Sequence, residues 1–371
     1  MEEIHYAFWL INTLGLSCGI IHRLLDYAGS FRNIWYLSKS ELAGEGLKIP
    51  PAKIDAIIND RDENQILNSY NNLISAGIRF YHYNHPQFPY KLTNIPGAPM
   101  GIYCIGRLPD PSVISVAIIG ARTCSEYGRY VARKLGNALG DNGIQVISGL
   151  ARGVDGIAQD GALSVGGYSC GVLGCGVDIC YPPSNIDIYN KLAISGGIIS
   201  EYPPGTPAKA NLFPQRNRII SALSDVVVVI EAREKSGSLI TADLALEQGK
   251  DIYALPGRVT DSLSHGCNRL IRQGAGIILS PEEFINDLIV NYSLSSTPSE
   301  YTDFNQLEIS DLLPMSDTDK RILSTITMDP KSINEIQDET SLPTGELMNG
   351  IIRLSMKGLI LQNGSYYVLK L

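Results

Sequence analysis

Between Val113 and about Asp287, short apolar runs alternate with longer amphipathic stretches, and this alternation restricts the fold more than any other feature of the chain. Runs that are apolar throughout are typical of strands buried on both faces of a sheet. Nearly every run is followed by a turn signal and then by helical spacing of apolar residues. We therefore predict an α/β fold with a doubly wound, mostly parallel sheet. The predicted strands are Val113–Ile119, Ile144–Ile147, Tyr168–Leu173, Gly197–Ile199, Val226–Ile230, Asp251–Ala254 and Ile277–Leu279.

The residues before this region differ from it in composition. Residues 1–75 carry apolar side chains at helical spacing, which predicts a compact helical module of helix-hairpin-helix or sterile-alpha-motif type. The helical stretches are Ile20–Tyr27, Ser38–Leu47 and Pro51–Ser69. Residues 76–112 are rich in proline, glycine and tyrosine and predict an extended connector packed on the sheet domain, which we assign to residues 113–290.

Two further segments follow the sheet domain. Residues 291–318 contain five acidic residues and no Lys or Arg, which indicates a solvated linker. Residues 319–371 show two short helices, a longer one at Thr344–Lys357 and a strand pair around Asn363-Gly364, a pattern typical of a winged-helix-like domain. The longer helix would be the recognition helix. It carries few cations, so contact with a protein is an alternative to binding in a DNA groove.

Composition restricts the class of protein. The 371 residues carry a net charge of −8, so any binding to nucleic acid has to come from a local cluster of cations. Seven cysteines without a CxxC pair disfavour a disulfide framework and a zinc site. The first residues lack a signal-peptide profile, and no apolar run approaches the ~20 residues that span a bilayer. We expect a cytoplasmic protein with no membrane insertion, no metal and no cofactor.

A cluster of cations does occur before the fifth predicted strand. Lys209, Arg216 and Arg218 lie in a stretch without acidic residues, and Phe213 and Asn217 lie among them at a predicted helix start. Free N–H groups at a helix start attract phosphate oxygens, and an adjacent aromatic ring can stack on a base. Arginines in this position oppose the helix dipole unless an anion is bound. The cluster therefore predicts contacts with a nucleic-acid backbone.

Some residues of this cluster have an alternative interpretation, in which they stabilise the fold and do not contact nucleic acid. Arg216 or Arg218 would pair with Glu201 or Glu231, and Phe213 would be a core residue. The residues alone leave both interpretations open.

Small-residue turns after three predicted strands strengthen the binding interpretation. Gly120-Ala121-Arg122 follows the first strand and Ser148-Gly149 the second, so the two turns should lie side by side and form an anion-binding concavity. Gly237-Ser238 opens a later helix. The alternatives are a structural ion pair for Arg122 and, in the second turn, pairing of Arg152 with Asp155.

Other chemistries have weak support. The first turn is not GxGxxG, and no GxxxxGK[ST] occurs, which disfavours dinucleotide binding and P-loop ATP hydrolysis. His265 is the only histidine of the sheet region, and no nucleophile–base pair is apparent. We therefore do not expect an enzyme.

Several long motifs follow one another along the sheet region: Ala117–Arg122, Ser148–Asp155, Gly174–Asp178 leading to Tyr181-Pro182, Ser200–Gly205, Phe213–Arg218, Ser236–Thr241 and Pro256-Gly257. In this order they resemble the motifs of the DprA (Smf) DNA-processing family. The resemblance covers about the whole sheet domain. It implies an extended Rossmann-like domain, and the helical module in front and the winged helix behind suit the longer members of the family.

The resemblance also implies a function. Members bind single-stranded DNA, protect incoming DNA, load the RecA recombinase during natural transformation, form homodimers and have no known catalytic activity. The expected DNA-binding residues, from the family pattern and the turns above, are Gly120, Arg122, Ser148, Gly149, Lys209, Phe213, Arg216, Asn217, Arg218, Gly237 and Ser238. For the dimer, the apolar residues Leu270, Ile271, Ile277 and Ile278 offer a surface, unless they fill the core.

An enzyme that binds or cleaves nucleotides on a related Rossmann-like fold is the alternative function. Such an enzyme needs a catalytic acid, and Glu201 or Glu231 is the candidate. Paired arginines beside an aromatic residue fit an extended polynucleotide better than a mononucleotide.

Overall fold

A nine-stranded sheet organises the larger of two compact units of the protein. The structure, a computed structural model, describes residues 1–292, 315–327 and 329–369. The strands lie in the order β1-β2-β6-β5-β4-β3-β7-β8-β9. They are β1 (Arg79–His82), β2 (Gly101–Gly106), β3 (Ser115–Ile119), β4 (Gln145–Ser148), β5 (Ser169–Val172), β6 (Gly197–Ser200), β7 (Val226–Val229), β8 (Asp251–Ala254) and β9 (Gly276–Ile277).

Strands β3 to β9 are parallel, which confirms the predicted doubly wound, Rossmann-like sheet. The chain starts the parallel part at β3, proceeds through β4 to β6 on one side, and then returns to place β7 on the other side of β3. The order of strands therefore reverses between β3 and β7. In open α/β sheets, ligands bind outside the carboxyl ends of the strands at such a reversal.

The helices between these strands follow the predicted alternation. All four residues of β4 and of β7 are buried, so helices are required on both faces of the sheet. They are α7 (Glu126–Asp141), α8 (Val154–Ser164), α9 (Ile186–Ser195), α10 (Leu212–Leu223), α11 (Gly237–Glu247), α12 (His265–Arg272) and α13 (Pro281–Tyr292).

The structure corrects the expected role of residues 76–112. This segment supplies β1 and β2, which pair antiparallel with each other, and β2 also pairs antiparallel with β6. Sequence reasoning missed these strands because their apolar residues are short runs between prolines and glycines, where turn signals dominate the pattern. The predicted domain boundaries near residues 75, 112, 290 and 318 stay predictions.

Six helices precede β1, as the apolar spacing predicts for residues 1–75. They are α1 (Glu3–Asn12), α2 (Cys18–Ala28), α3 (Phe31–Tyr36), α4 (Lys39–Leu42), α5 (Pro51–Asn59) and α6 (Glu63–Ser75). Their apolar faces share one core with side chains of the sheet, among them Phe80 and Tyr103. The Tyr103 hydroxyl donates to Asn12 Oδ1 at 2.7 Å, which ties α1 to β2. The helices are thus part of the sheet's packing.

The remaining described residues, from 315 on, form a second small unit. It contains α14 (Asp317–Thr325), α15 (Ile333–Thr340) and α16 (Thr344–Met356). Its strands β10 (Lys331–Ser332), β11 (Ile360–Asn363) and β12 (Tyr366–Leu369) form an antiparallel sheet in the order β10-β12-β11. Helices with a small antiparallel sheet agree with the winged-helix-like prediction. Most of the predicted acidic linker, residues 293–314, lies outside the described residues.

Within the described residues, no helix has the length and apolar character needed to cross a membrane. In the same residues, no group of three or more His, Cys, Asp or Glu side chains is arranged to hold a metal ion.

His82 is a buried histidine that packs against the N-terminal helices. It is buried on β1, with its ring against Phe31 at 5.4 Å and against His85 at 5.6 Å between centroids. Burial, and secondarily the charge of His85, lowers the pKa of His82 to about 4. The neutral form is therefore favoured in the folded state. Its contribution to stability is full above the unfolded pKa and is lost as the pH falls from about 6.5 towards 4.

We predict that the free energy of unfolding falls more steeply with acid in the wild type than in His82→Phe, which keeps an aromatic ring but cannot titrate. Between pH 7.5 and 5 the difference should be about 2 kcal/mol, from the two pKa values. Urea unfolding at both pH values measures it. Parallel pH dependence in the two proteins would contradict this role of His82.

Candidate nucleic-acid interface

A cleft lies where the carboxyl ends of β3, β4 and β7 meet, at the reversal of strand order. It encloses about 320 Å³. Its lining combines the turn after β3, the starts of α8 and α10, and the start of α11. Among the predicted binding residues, it is lined by Gly120, Arg122, Phe213, Arg216, Asn217, Gly237 and Ser238. The structure thus brings together residues that are more than a hundred positions apart in the chain.

Close backbone approach explains the glycines of the first two turns. A Cβ atom on Gly120 would lie 2.7 Å from Val154 Cγ2. Gly153 has a φ of 75°, in the region that favours glycine, and a Cβ there would meet the carbonyl oxygens of Ala121 and Arg122. Val154 N donates to Ala121 O at 3.2 Å. The turn after β3 therefore packs directly on the start of α8, as the side-by-side prediction requires.

Arg122 is exposed at the edge of this cleft. Its guanidinium carbon lies 5.6 Å from the centroid of the Phe213 ring, a cation–π arrangement. Among the described residues, no carboxylate forms an ion pair with Arg122. The structural ion pair that the sequence left open for it is therefore not formed within that part of the chain, and its donors face the cleft.

Arg216 has a different environment from the one predicted. It lies in the second turn of α10 rather than at the helix start and is only 4% exposed. Its Nη1 donates to Gly149 O at 2.9 Å and to Val172 O. Burial lowers its pKa to about 10, while the nearby Asp155 carboxylate opposes the shift. At neutral pH Arg216 is therefore a buried cation that holds the second turn from beneath.

Asp155 holds the other backbone group of Gly149. It is buried at the start of α8, and its Oδ2 accepts from Gly149 N at 3.2 Å. Burial raises the pKa of Asp155, and the charge of Arg216 lowers it in part. Gly149 is thus held on both backbone groups, by Asp155 on N–H and by Arg216 on C=O. The alternative of Asp155 pairing with Arg152 is not formed within the described residues, where Asp155 is buried and Arg152 is exposed.

Ser148 also faces inward. It is fully buried, and its hydroxyl donates to Ile118 O at 2.6 Å, which joins the ends of β4 and β3. A Cβ on Gly149 would lie 2.6 Å from the Arg216 Nη2 atom, so only glycine leaves room for the buried guanidinium. Both residues therefore shape the cleft from below rather than line its opening.

Arg218 forms the ion pair that the sequence left open. Its Nη1 and Nη2 atoms donate to the two carboxylate oxygens of Glu201 at 2.7 and 2.6 Å. Its Nε donates to Gly97 O at 3.0 Å. This bidentate pair raises the pKa of Arg218, although burial alone would lower it. The same contact engages Glu201, one of the two carboxylates considered as a catalytic acid.

Of the other predicted residues, three line the cleft and one does not. Gly237 is exposed at the start of α11, and Ser238 is largely buried there, with its N–H directed to the Ser236 hydroxyl oxygen at 3.3 Å. Asn217 lines the cleft. Lys209 is exposed before α10 and lines neither this cleft nor the neighbouring one described below.

Sequence reasoning missed Tyr181. Its ring stacks on Phe213, with 5.3 Å between centroids and 28° between planes, and the side chain is 42% exposed. The Tyr-Pro pair after the third predicted strand was the available signal. A loop aromatic shows no periodicity, so the pattern alone gave it no role.

Comparisons with known proteins identify the family of the chain. Residues 79–289 match the sequence profile of the family described as DNA recombination-mediator protein A. Protein Smf of Synechocystis is 31% identical over 98% of this chain and 98% of its own length.

Two solved structures share the fold. DNA processing protein A of Streptococcus pneumoniae is 30% identical, with a TM-score of 0.68 over 76% of this chain and 97% of that one. DNA processing protein A of Helicobacter pylori, described for its single-stranded DNA binding mode, is 33% identical, with a TM-score of 0.52 over 58% of this chain and 96% of that one. Since the family profile spans more than half of the chain and the Synechocystis relative nearly all of it, the chain belongs to the DNA recombination-mediator protein A (DprA/Smf) family.

Proposed function

We propose that this protein binds single-stranded DNA in the cleft at the strand reversal and acts as a recombination mediator. The observation that carries the proposal is the exposed Arg122 guanidinium over the Phe213 ring, beside the start of α11. A cation and an aromatic ring in one groove are the two groups that hold a single strand without reading its sequence. The binding mode named for the Helicobacter pylori relative supports the assignment.

The contacts described above divide the predicted residues by role. Arg122, Phe213, Asn217 and Gly237 border open space and contact the strand, and Lys209 adds a cation outside the cleft. Ser148, Gly149, Arg216, Arg218 and Ser238 are buried or internally bonded and position the contacting groups.

Family membership further supports loading of the RecA recombinase and a homodimer. Of the apolar residues considered for the dimer, Leu270 and Ile278 are buried in the core, whereas Ile277 on the edge strand β9 is 45% exposed. The neighbouring Leu279 is 71% exposed. We assign the dimer surface to this edge, because unpaired edge strands favour association.

We predict that an oligothymidylate binds with micromolar or better affinity and that its affinity falls steeply with salt. About three phosphate contacts give a slope of log K against log salt near about −2. Fluorescence anisotropy at several salt concentrations measures it. Mononucleotides should compete poorly. Tight, salt-independent binding of a mononucleotide would favour the nucleotide-processing alternative instead.

We predict that Arg122→Ala weakens oligothymidylate binding at least about tenfold, or ~1.4 kcal/mol. Because Arg122 is exposed, the free energy of unfolding should change by less than about 0.5 kcal/mol. Arg32→Ala, an exposed arginine of α3, is the control and should change neither quantity.

The variant Arg216→Ala tests whether Arg216 stabilises the fold or only contacts the DNA. It leaves the buried carbonyl oxygens of Gly149 and Val172 without their donor, so the free energy of unfolding should fall by at least about 2 kcal/mol. Equal stability of the Arg216→Ala and wild-type proteins would show that Arg216 serves a bound anion alone.

The recognition helix of the small unit offers little to a phosphate backbone. Arg353 on α16 donates from Nε and Nη2 to Asp319 at 2.7–3.2 Å, which lowers the pKa of that carboxyl. The exposed side chains of α16 include Met348, Ile352 and Met356, which recur every fourth residue and form an apolar stripe. These features favour contact with a protein over contact with DNA.

A chain that ends at Tyr292 should therefore keep its affinity for single-stranded DNA within about tenfold of the full protein, ~1.4 kcal/mol. Titration of both proteins with one labelled oligonucleotide is the measurement. A larger loss would place part of the DNA site after residue 292.

A further inference from the structure

A second cavity lies on the other side of Arg122 and Phe213. It encloses about 360 Å³. It shares Arg122, Ala151, Phe213 and Arg216 with the first cleft, so the two cavities are neighbours separated by the Arg122–Phe213 pair. Its own wall is formed by Thr123, Gly149, Arg152, Tyr181, Pro182 and Pro183.

Tyr181 gives this cavity an aromatic wall. One face of its ring lies on Phe213, and Arg122 lies over the Phe213 ring as well, so the three side chains form a continuous column. Since 42% of Tyr181 is exposed, the column ends in an aromatic group that is still accessible. A flat aromatic ligand can extend the column by stacking on it.

The loop that carries Tyr181 is fixed at both ends. Asn185 Nδ2 donates to Leu150 O and Ala151 O, both at 3.0 Å, which joins this loop to the turn beside Arg152. At the other end, the Asp178 carboxylate accepts from Gly205 N at 2.9–3.0 Å. Tyr181 and Arg152 are therefore held beside each other before any ligand binds, which reduces the entropic cost of binding.

The charge of the cavity is positive. Its walls include Arg122, Arg152 and the buried Arg216, and none of the described residues that line it is acidic. Arg152 is exposed and forms no ion pair within the described residues. Cations beside an aromatic face fit a ligand that is anionic and aromatic in adjacent parts, as each nucleotide of a single strand is.

We infer that this second cavity binds the next nucleotide of the same strand, with its base stacked on Tyr181 and its phosphate held by Arg152. The strand crosses from the first cleft over Arg122, which lies between the two. This inference rests on the proposed function and adds to the site two residues, Tyr181 and Arg152, that are not among the expected DNA-binding residues.

The test compares Tyr181→Ala with Tyr181→Phe in the full-length protein, with oligothymidylate as the probe. Loss of a base–aromatic stack should reduce affinity roughly 5- to 150-fold in Tyr181→Ala. Tyr181→Phe keeps the ring and should bind within about twofold of the wild type, because stacking does not need the hydroxyl. Equal affinity of the wild type and Tyr181→Ala would overturn the inference.

A double-mutant cycle distinguishes direct stacking from mere support of Phe213. If Tyr181 stacks a base of its own, Tyr181→Ala should still weaken binding when Phe213→Ala is already present. If it acts only by holding Phe213, its effect should vanish in that background, and the inference would be wrong.

Arg152→Gln gives an independent result should the tyrosine variants unfold. It should lower affinity and make the salt slope shallower by about one, the change expected for one lost phosphate contact. Arg32→Gln, outside both cavities, should leave the slope unchanged. If the slope of log K against log salt is unchanged in Arg152→Gln, Arg152 does not contact a phosphate, and that part of the inference is wrong. Absence of oligothymidylate binding by the wild type would instead overturn the proposed function itself.

Discussion

The anchoring of Gly149 by two buried side chains is the interaction on which the cleft depends. Asp155 accepts from Gly149 N, and Arg216 donates to Gly149 O and to Val172 O at the end of β5. A buried backbone group left without a partner is costly, so both side chains are required. This requirement fixes α10 against the carboxyl ends of β4 and β5. The turns that border the cleft are therefore set by the core beneath them.

Because the core holds these turns in place, the exposed side chains beside the cleft are free to contact a ligand. Arg122, Phe213 and Tyr181 form a column of a guanidinium and two rings, and Arg122 and Tyr181 are exposed. The strand reversal between β3 and β7 supplies the open space in which a strand of DNA can lie. Binding without sequence preference requires accessible stacking groups on a rigid support. The bases of the strand differ from site to site, but every base has a flat face that can stack on an aromatic ring.

The environments of Arg216 and Arg218 show the limit of sequence reasoning. Both lie in one motif without acidic neighbours, and the sequence leaves open which of them contacts an anion and which pairs inside the protein. In the structure Arg216 is buried and bonded to the backbone of Gly149 and Val172, and Arg218 is bonded to Glu201. The exposed arginines that line the two cavities are Arg122 and Arg152. The identity of a cation's partner depends on residues distant in the chain, and spacing along the chain does not encode it.

The sequence by itself determined the parallel sheet, its helices, the family and the turns that meet at the site, because apolar periodicity and small-residue turns are local properties. It did not determine β1 and β2, since β1 pairs with β2, and β2 pairs antiparallel with β6, which lies about ninety residues further along the chain. Nor did it show which predicted residues face solvent or that Tyr181 completes the column over Phe213. Those outcomes were decided by tertiary structure, because burial and ring stacking arise only when distant segments pack together.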